Sequence, residues 1–175
     1  GPITMTEPCM ALTRIVLEDA RHIMEENAEK CGDEVLYSKE DLDVLIDRCV
    51  GVGYHQEVLV APGVRVMLHD AGHVLGSAFV TVDAEGKRVV FSGDIGNEHV
   101  PILPVTEPIS HADIVVCEST YGNRVHEPPA ERAQKLREAV ESTIASGGVL
   151  MIPSFSIERA QEVLDMATRD GAKAL

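Results

Sequence analysis

Apolar positions recur at helical spacing over residues 9–30, where Leu12, Ile15, Val16, Ala20, Ile23 and Met24 form one stripe. Pro8 stands just ahead, where its missing N–H does least harm. A second helix is expected from about Ser38. That serine and Asp41, three residues on, make an N-terminal cap, and Leu42, Leu45, Ile46 and Cys49 supply the apolar face. From about His55 the period shortens to that of strands: "EVLVA", a Pro62-Gly63 turn, "VRVML", "AFVTVD", "AEGK" and "RVVFS" read as successive antiparallel strands and their turns. "ADIVVCE" (112–118) and "GGVLMIP" (147–153) are two further strand candidates. Between them Leu136, Val140, Thr143 and Ile144 predict a helix, and a last helix is expected from about Ser156, with Ile157, Ala160, Val163, Leu164 and Ala167 turned inward. The alternation of helices and strands predicts a mixed α/β layering without internal repeats.

Composition narrows the function classes. The 175 residues include 29 acidic and 15 basic side chains, a net charge of −14, which argues against a broad basic nucleic-acid-coating face. A nuclease stays open, because metal ions can reverse the field where a phosphate must sit. The four cysteines, Cys9, Cys31, Cys49 and Cys117, form no C-x-x-C pair, and no run long enough to span a membrane occurs. Reduced thiols and a cytoplasmic location are the expectation.

The stretch "VMLHDAGHVLGSAF" (66–79) spaces His69 and His73 like the zinc pair of an H-E-x-x-H protease helix. Its flanks argue for strands, Gly72 and Gly76 punctuate it, and Asp70 stands where the protease needs glutamate, so "HDAGHVLGS" reads as a strand-connecting loop. Two acids occupy equivalent places at later strand ends: Asp94, between Gly93 and Gly96 in "VVFSGDIG", and Glu118, in "IVVCESTYG". An imidazole and two carboxylates from three strand ends make a partial site for a hydrolytic divalent metal. Taken singly, each has a plainer reading as a solvated loop histidine, a turn aspartate or a helix-capping carboxylate.

The ordered motifs "HDAGHVLGSAFV", "VVFSGDIGN", "CESTYGNRVH" and "GGVLMIPSFSIERAQEVL" resemble the β-CASP branch of the metallo-β-lactamase fold over roughly residues 55–168. That branch holds RNA-processing nucleases of the ribonuclease J and cleavage-and-polyadenylation type. The resemblance implies an α/β fold: part of an αββα sandwich over residues 1–122, then the start of a β-CASP cap domain over 123–175. It also implies two Zn²⁺ ions, with His73 and Asp94 as metal ligands and Asp94 bridging, and Glu118 supporting a catalytic histidine through a hydrogen bond. The expected reaction is hydrolysis of phosphodiester bonds in single-stranded RNA by a metal-activated water, as an endonuclease, a 5′-3′ exonuclease or both. A small-molecule ester or thioester hydrolase and a non-catalytic scaffold in a processing complex are the alternatives, and a homo-oligomer or a processing complex stays open.

The family's first metal cluster, H-x-H-x-D-H, appears nowhere among His22, His55, His69, His73, His99, His111 and His126, and its later histidines are also missing. The chain is therefore expected to be an internal fragment that binds metal poorly and does not cleave RNA by itself. His69 and Asp70 have either an orienting or a loop role, and Tyr121 and Asn123 a site-steadying or, better supported, a turn role. Ser154 and Ser156 have a phosphate-binding or, more simply, a helix-capping role, Arg159 has a backbone-binding or an ion-pair role, and His55, His99, His111 and His126 receive none.

Overall fold

The computed structural model describes residues 1–96, 102–125 and 128–169. Strand β1 (Ile3–Thr6) runs straight into helix α1 (Glu7–Cys31), and Thr6 makes the junction. Its hydroxyl accepts from the Cys9 N–H (3.3 Å), an orphan donor of the first turn, and donates to the Gly76 carbonyl (2.7 Å) far along the chain. The helix stops at Gly32, whose left-handed φ of 77° lets its N–H return to the Ala28 carbonyl. Helix α2 (Lys39–Asp47) carries the expected capping box: Asp41 N–H donates to Ser38 Oγ (3.1 Å), and Ser38 N–H to Asp41 Oδ2 (2.9 Å). Ser38→Ala is expected to lower stability by about 1 kcal/mol, read from the urea midpoint at unchanged m-value. Strand β2 (Cys49–Val52) then returns parallel to β1, pairing Ile3 with Cys49 and Thr6 with Val52.

The larger sheet has the order β3 (Val58–Ala61), β4 (Val64–Asp70), β5 (Ala78–Ala84), β6 (Lys87–Phe91), β7 (Ile114–Val116). The first four are antiparallel neighbours, as the period-two pattern predicted, and β7 joins β6 in parallel. The β5–β6 hairpin closes through Glu85 (φ 51°) and Gly86 (φ 72°), the paired positive values of a two-residue type I′ turn whose twist matches the strands. Leu68 of β4 is buried on one face of the sheet, Phe79 of β5 and Val90 of β6 on the other, and Leu42, Val52 and Ala71 are buried as well. The architecture is mixed α/β, consistent with part of a metallo-β-lactamase sandwich. Helices α3 (Pro129–Ala145) and α4 (Arg159–Arg169) follow.

Two expectations need correction, and two strands were not foreseen. The run 147–153 is not a strand: Val149 and Met151 are 89% and 86% exposed, and no described strand lies beside it to complete a ladder. β1 and β2 escaped the sequence reading, since four-residue strands whose partners are 46 positions apart leave almost no periodic trace. The last helix begins at Arg159, because residues 156–158 form a turn in which Glu158 takes a φ of 71°. Ser156 therefore opens this turn instead of standing at the helix start.

Two carboxylates tie the sheet edge together. Arg88 donates through Nε and Nη2 to both oxygens of Asp83 (2.8 Å each), and Asp113 accepts from the Arg88 N–H (2.8 Å) and Lys87 Nζ (2.9 Å). The Arg88 side chain holds the Asp83 pKa below its ordinary value, and the Arg88 N–H does the same for Asp113. Groups depressed on folding stabilise the native state above their unfolded pKa of about 3.9, and that contribution vanishes as pH falls through the folded value. Stability is thus expected to drop below about pH 4. The decline should be shallower in an Asp83→Asn, Asp113→Asn double variant, which urea titrations at pH 3 and pH 6 would compare.

Candidate functional site

Strand β4 ends at Asp70, so His69 is a strand residue and not part of the connecting loop. The loop proper, 71–77, is held by its own polar groups. Asp70 Oδ1 accepts from the Gly72 N–H (2.8 Å), and Ser77 Oγ accepts from the N–H groups of His73 (3.0 Å) and Val74 (3.2 Å). The Tyr54 hydroxyl donates to the Ser77 carbonyl (2.8 Å), and burial with the Asp70 and Glu107 charges pushes its pKa up to about 12, so it stays a donor. With the backbone fixed, the His73 ring remains free for a ligand, 45% exposed.

A second loop packs backbone to backbone against the first. Gly96 N–H donates to the Ala71 carbonyl (2.8 Å), and any Cβ on Gly96 would run into the Gly72 carbonyl. Gly72 itself has a φ of 61°, and a Cβ there would lie 2.6 Å from the Pro104 carbonyl. This close approach brings Asp94 to the first loop, with its Oδ2 3.9 Å from His73 Nε2 and its side chain 73% exposed. Two ligands of one tetrahedral zinc stand about 3.4 Å apart, so a neutral imidazole and a carboxylate facing each other at this separation fit a borderline divalent cation.

Glu118 closes the constellation from the end of β7. Its Oε1 accepts from the Ile95 N–H (2.6 Å), its own N–H donates to Ser92 Oγ (2.9 Å), and Ser92 N–H donates to the Val116 carbonyl. Both sides of the Asp94 turn are braced by this residue. The Ile95 N–H first, then Thr120, keep the Glu118 pKa low despite desolvation, so it is a carboxylate at neutral pH. Among the described residues nothing imidazole-like hydrogen-bonds to Glu118, and its observed work is on the Asp94 turn.

His73, Asp94 and Glu118 share the wall of an open cleft of about 890 Å³, whose other side comes from Arg132 and from residues 155–162. Glu158 enters it from the strained turn. Burial first, then Glu162, push its pKa up, and its Oε1 is buried with no hydrogen-bond partner among the described residues. Arg159 pairs with Glu162 (2.6 Å) and also lines this wall, as does Tyr121. Asp94, Glu118, Glu158 and Glu162 make the cleft acidic, so a polyanion entering it needs cations bound beforehand.

A second cluster was missed. His55, His69 and Glu107 present three ligand-type atoms within 4.8 Å of one another. Glu107 lies in a Pro- and Thr-containing stretch with no periodicity, and only its 52-residue separation from His55, closed by the fold, brings the pair together. His99 and His126 lie outside the described residues, and His111 is exposed.

No protein-family model matches the chain. It is 37% identical over 164 residues to Ribonuclease TTHA0252 of Thermus thermophilus, which spans 94% of this chain and 36% of that protein. Endoribonuclease YSH1 of Saccharomyces cerevisiae is 35% identical over 169 residues, covering 94% of this chain and 22% of the relative. Cleavage and polyadenylation specificity factor subunit 3 of Dictyostelium discoideum is 33% identical over 165 residues, with 94% and 21% coverage. The chain thus spans between about a fifth and a third of the length of these curated relatives.

Proposed function

We propose that this chain, a homologue of the β-CASP metallo-β-lactamase ribonucleases, supplies one side of a zinc-dependent centre that hydrolyses phosphodiester bonds in single-stranded RNA. The observation that carries the reading is the approach of His73 Nε2 to Asp94 Oδ2, 3.9 Å, at two strand ends on an open cleft. His73 and Asp94 would hold Zn²⁺ at this edge, Asp94 offering two oxygens; the remaining ligands are not in this donor set. Bound there, the metal supplies a water acidified to near-neutral pKa and positive charge for the phosphate.

The chain's own residues prepare that chemistry. Asp94 is held in place because Glu118 anchors the next N–H along, which makes Glu118 a positioning residue in this structure. His73 keeps its ring toward Asp94 because Ser77 fixes its backbone. Residues 155–162, from the segment we assign to a cap domain beginning near residue 123, wall the cleft opposite the ligands and favour a strand of RNA over a small ester. Among the described residues no helix is long and apolar enough to cross a membrane. The 175 residues alone, with only His73 and Asp94 as ligands of that centre, are proposed not to cleave RNA.

Cleavage of end-labelled single-stranded RNA by the native gene product, before and after chelation, tests this reading. Activity should disappear with chelator and return with Zn²⁺. Cleavage indifferent to chelation would overturn it.

A further inference from the structure

We propose that His55, His69 and Glu107 form a second divalent transition-metal site, sharing no ligand with the His73–Asp94 edge, that clamps the end of β4 from which His73 is presented. The proton inventory of His69 is the starting point. Its Nε2 lies 3.2 Å from Thr81 Oγ1, and Thr81 Oγ1 in turn donates to the Met67 carbonyl (3.4 Å). With its own hydrogen committed, the threonine oxygen accepts, so Nε2 carries the proton and the neutral ring's lone pair sits on Nδ1. That lone pair looks at Glu107 Oε2, 3.5 Å away. Two acceptors facing each other in a part-buried place are satisfied by a cation shared between them, a proton or a metal ion.

The rest of the cluster has the form of a metal site. The same Glu107 oxygen is hydrogen-bonded to His55 Nε2 at 2.7 Å, closer than the ~3.4 Å of two ligands on one tetrahedral ion, so a metal would replace that proton as the pair parts slightly; all three ligand atoms fall within 4.8 Å of one another. The supporting contacts are those that orient ligands: the far nitrogen of His69 donates to a hydroxyl, its ring stacks on Phe79 (centroids 4.7 Å, 7°), and Glu107 Oε1 accepts from the Asp70 N–H (3.3 Å). His55 occupies a left-handed φ of 61°, a conformation a non-glycine residue holds only when its surroundings over-determine it, and such strain gathers at ligand clamps. Two imidazoles and one carboxylate with His55 open to solvent suit Zn²⁺, Co²⁺ or Ni²⁺, with water completing the sphere, and not Mg²⁺. Glu107 also donates its N–H to the Asp70 carbonyl (3.0 Å), so a cation here would fix segment 104–107 against the strand end that leads into the His73 loop. The earlier expectation that the chain alone binds metal poorly weighed only His73 and Asp94; this set adds three donors to it.

The test is Co²⁺ titration of the full chain by visible absorption, compared among wild type, Asp94→Ala, His55→Gly and Glu107→Gln, with ¹H NMR of the histidine rings in Co²⁺. Glycine accepts the φ of residue 55, so His55→Gly removes a ligand without disturbing the fold, which circular dichroism verifies. One equivalent should persist in Asp94→Ala. In His55→Gly and Glu107→Gln its affinity should fall by more than the ~10–100-fold that loss of an outer partner costs. The cobalt-shifted resonances should belong to His55 and His69. The proposal is overturned if His55→Gly binds like wild type, if the shifted ring is His73, or if no equivalent binds.

Discussion

Asp94→Ala is expected to lower RNA cleavage by the native gene product about 10³-fold or more while leaving its fold intact. Both halves follow from position. The carboxylate is 73% exposed, so its removal empties no core, while its Oδ2 stands 3.9 Å from the only imidazole on the same cleft wall among the described residues. In the proposed role Asp94 would hold metal that carries transition-state charge, a contribution of several kcal/mol, and each 1.4 kcal/mol is tenfold in rate. Glu118→Gln should cost less, about 10–100-fold, since it loosens the turn that positions Asp94 instead of removing a ligand. The check is single-turnover cleavage of one RNA by wild type and both variants, alongside their thermal unfolding. Equal rates for Asp94→Ala and wild type would remove the ligand role.

Gly96→Ala is expected to destabilise the chain by about 3 kcal/mol or more, near the upper end of overpacking costs. The added methyl would meet the Gly72 carbonyl, and backbone has no rotamer to yield with. Relief requires parting the two loops, which costs the Gly96 N–H its bond to Ala71 and carries Asp94 away from His73. Gly53→Ala is the control, because a Cβ there meets nothing nearer than 3.9 Å. Urea unfolding should separate the two variants widely. A loss below about 1 kcal/mol for Gly96→Ala would contradict the packing argument.

The same two glycines show how far the sequence could be read. Gly72 and Gly96 stand beside His73 and Asp94 in the chain, and spacing alone marked both stretches as turns at strand ends where chemistry is placed. That one glycine lies on the other is a tertiary fact, with no local signal. Ser38 and Asp41 announced helix α2 because a capping box is a four-residue device written entirely in sequence. The antiparallel strands were legible for a like reason, each turn residue standing next to the hairpin it closes.

What depends on distant pairing was not legible. β1 and β2 find each other across two helices, and 147–153 has the composition of a strand without a described neighbour to make it one. His69 was placed in a loop because Gly72 and Gly76 punctuate the stretch, yet the ladder continues through Asp70, opposite Ala78. That shift aims His69 at Thr81, Phe79 and Glu107, away from the partnership with His73 that spacing suggested. Composition hid the acidity of the cleft as well. A net charge of −14 argued against a broad basic face and left a nuclease open through bound metal, but it did not say where the acids gather; Asp94, Glu118, Glu158 and Glu162 line one cleft.

The most direct measurement is a crystal structure of the native gene product with anomalous data collected on both sides of the zinc absorption edge. The account predicts an edge-dependent peak within coordination distance, about 2.0–2.2 Å, of both His73 Nε2 and an Asp94 oxygen. A map with no such peak between these two side chains, from crystals that cleave RNA when dissolved, would contradict it.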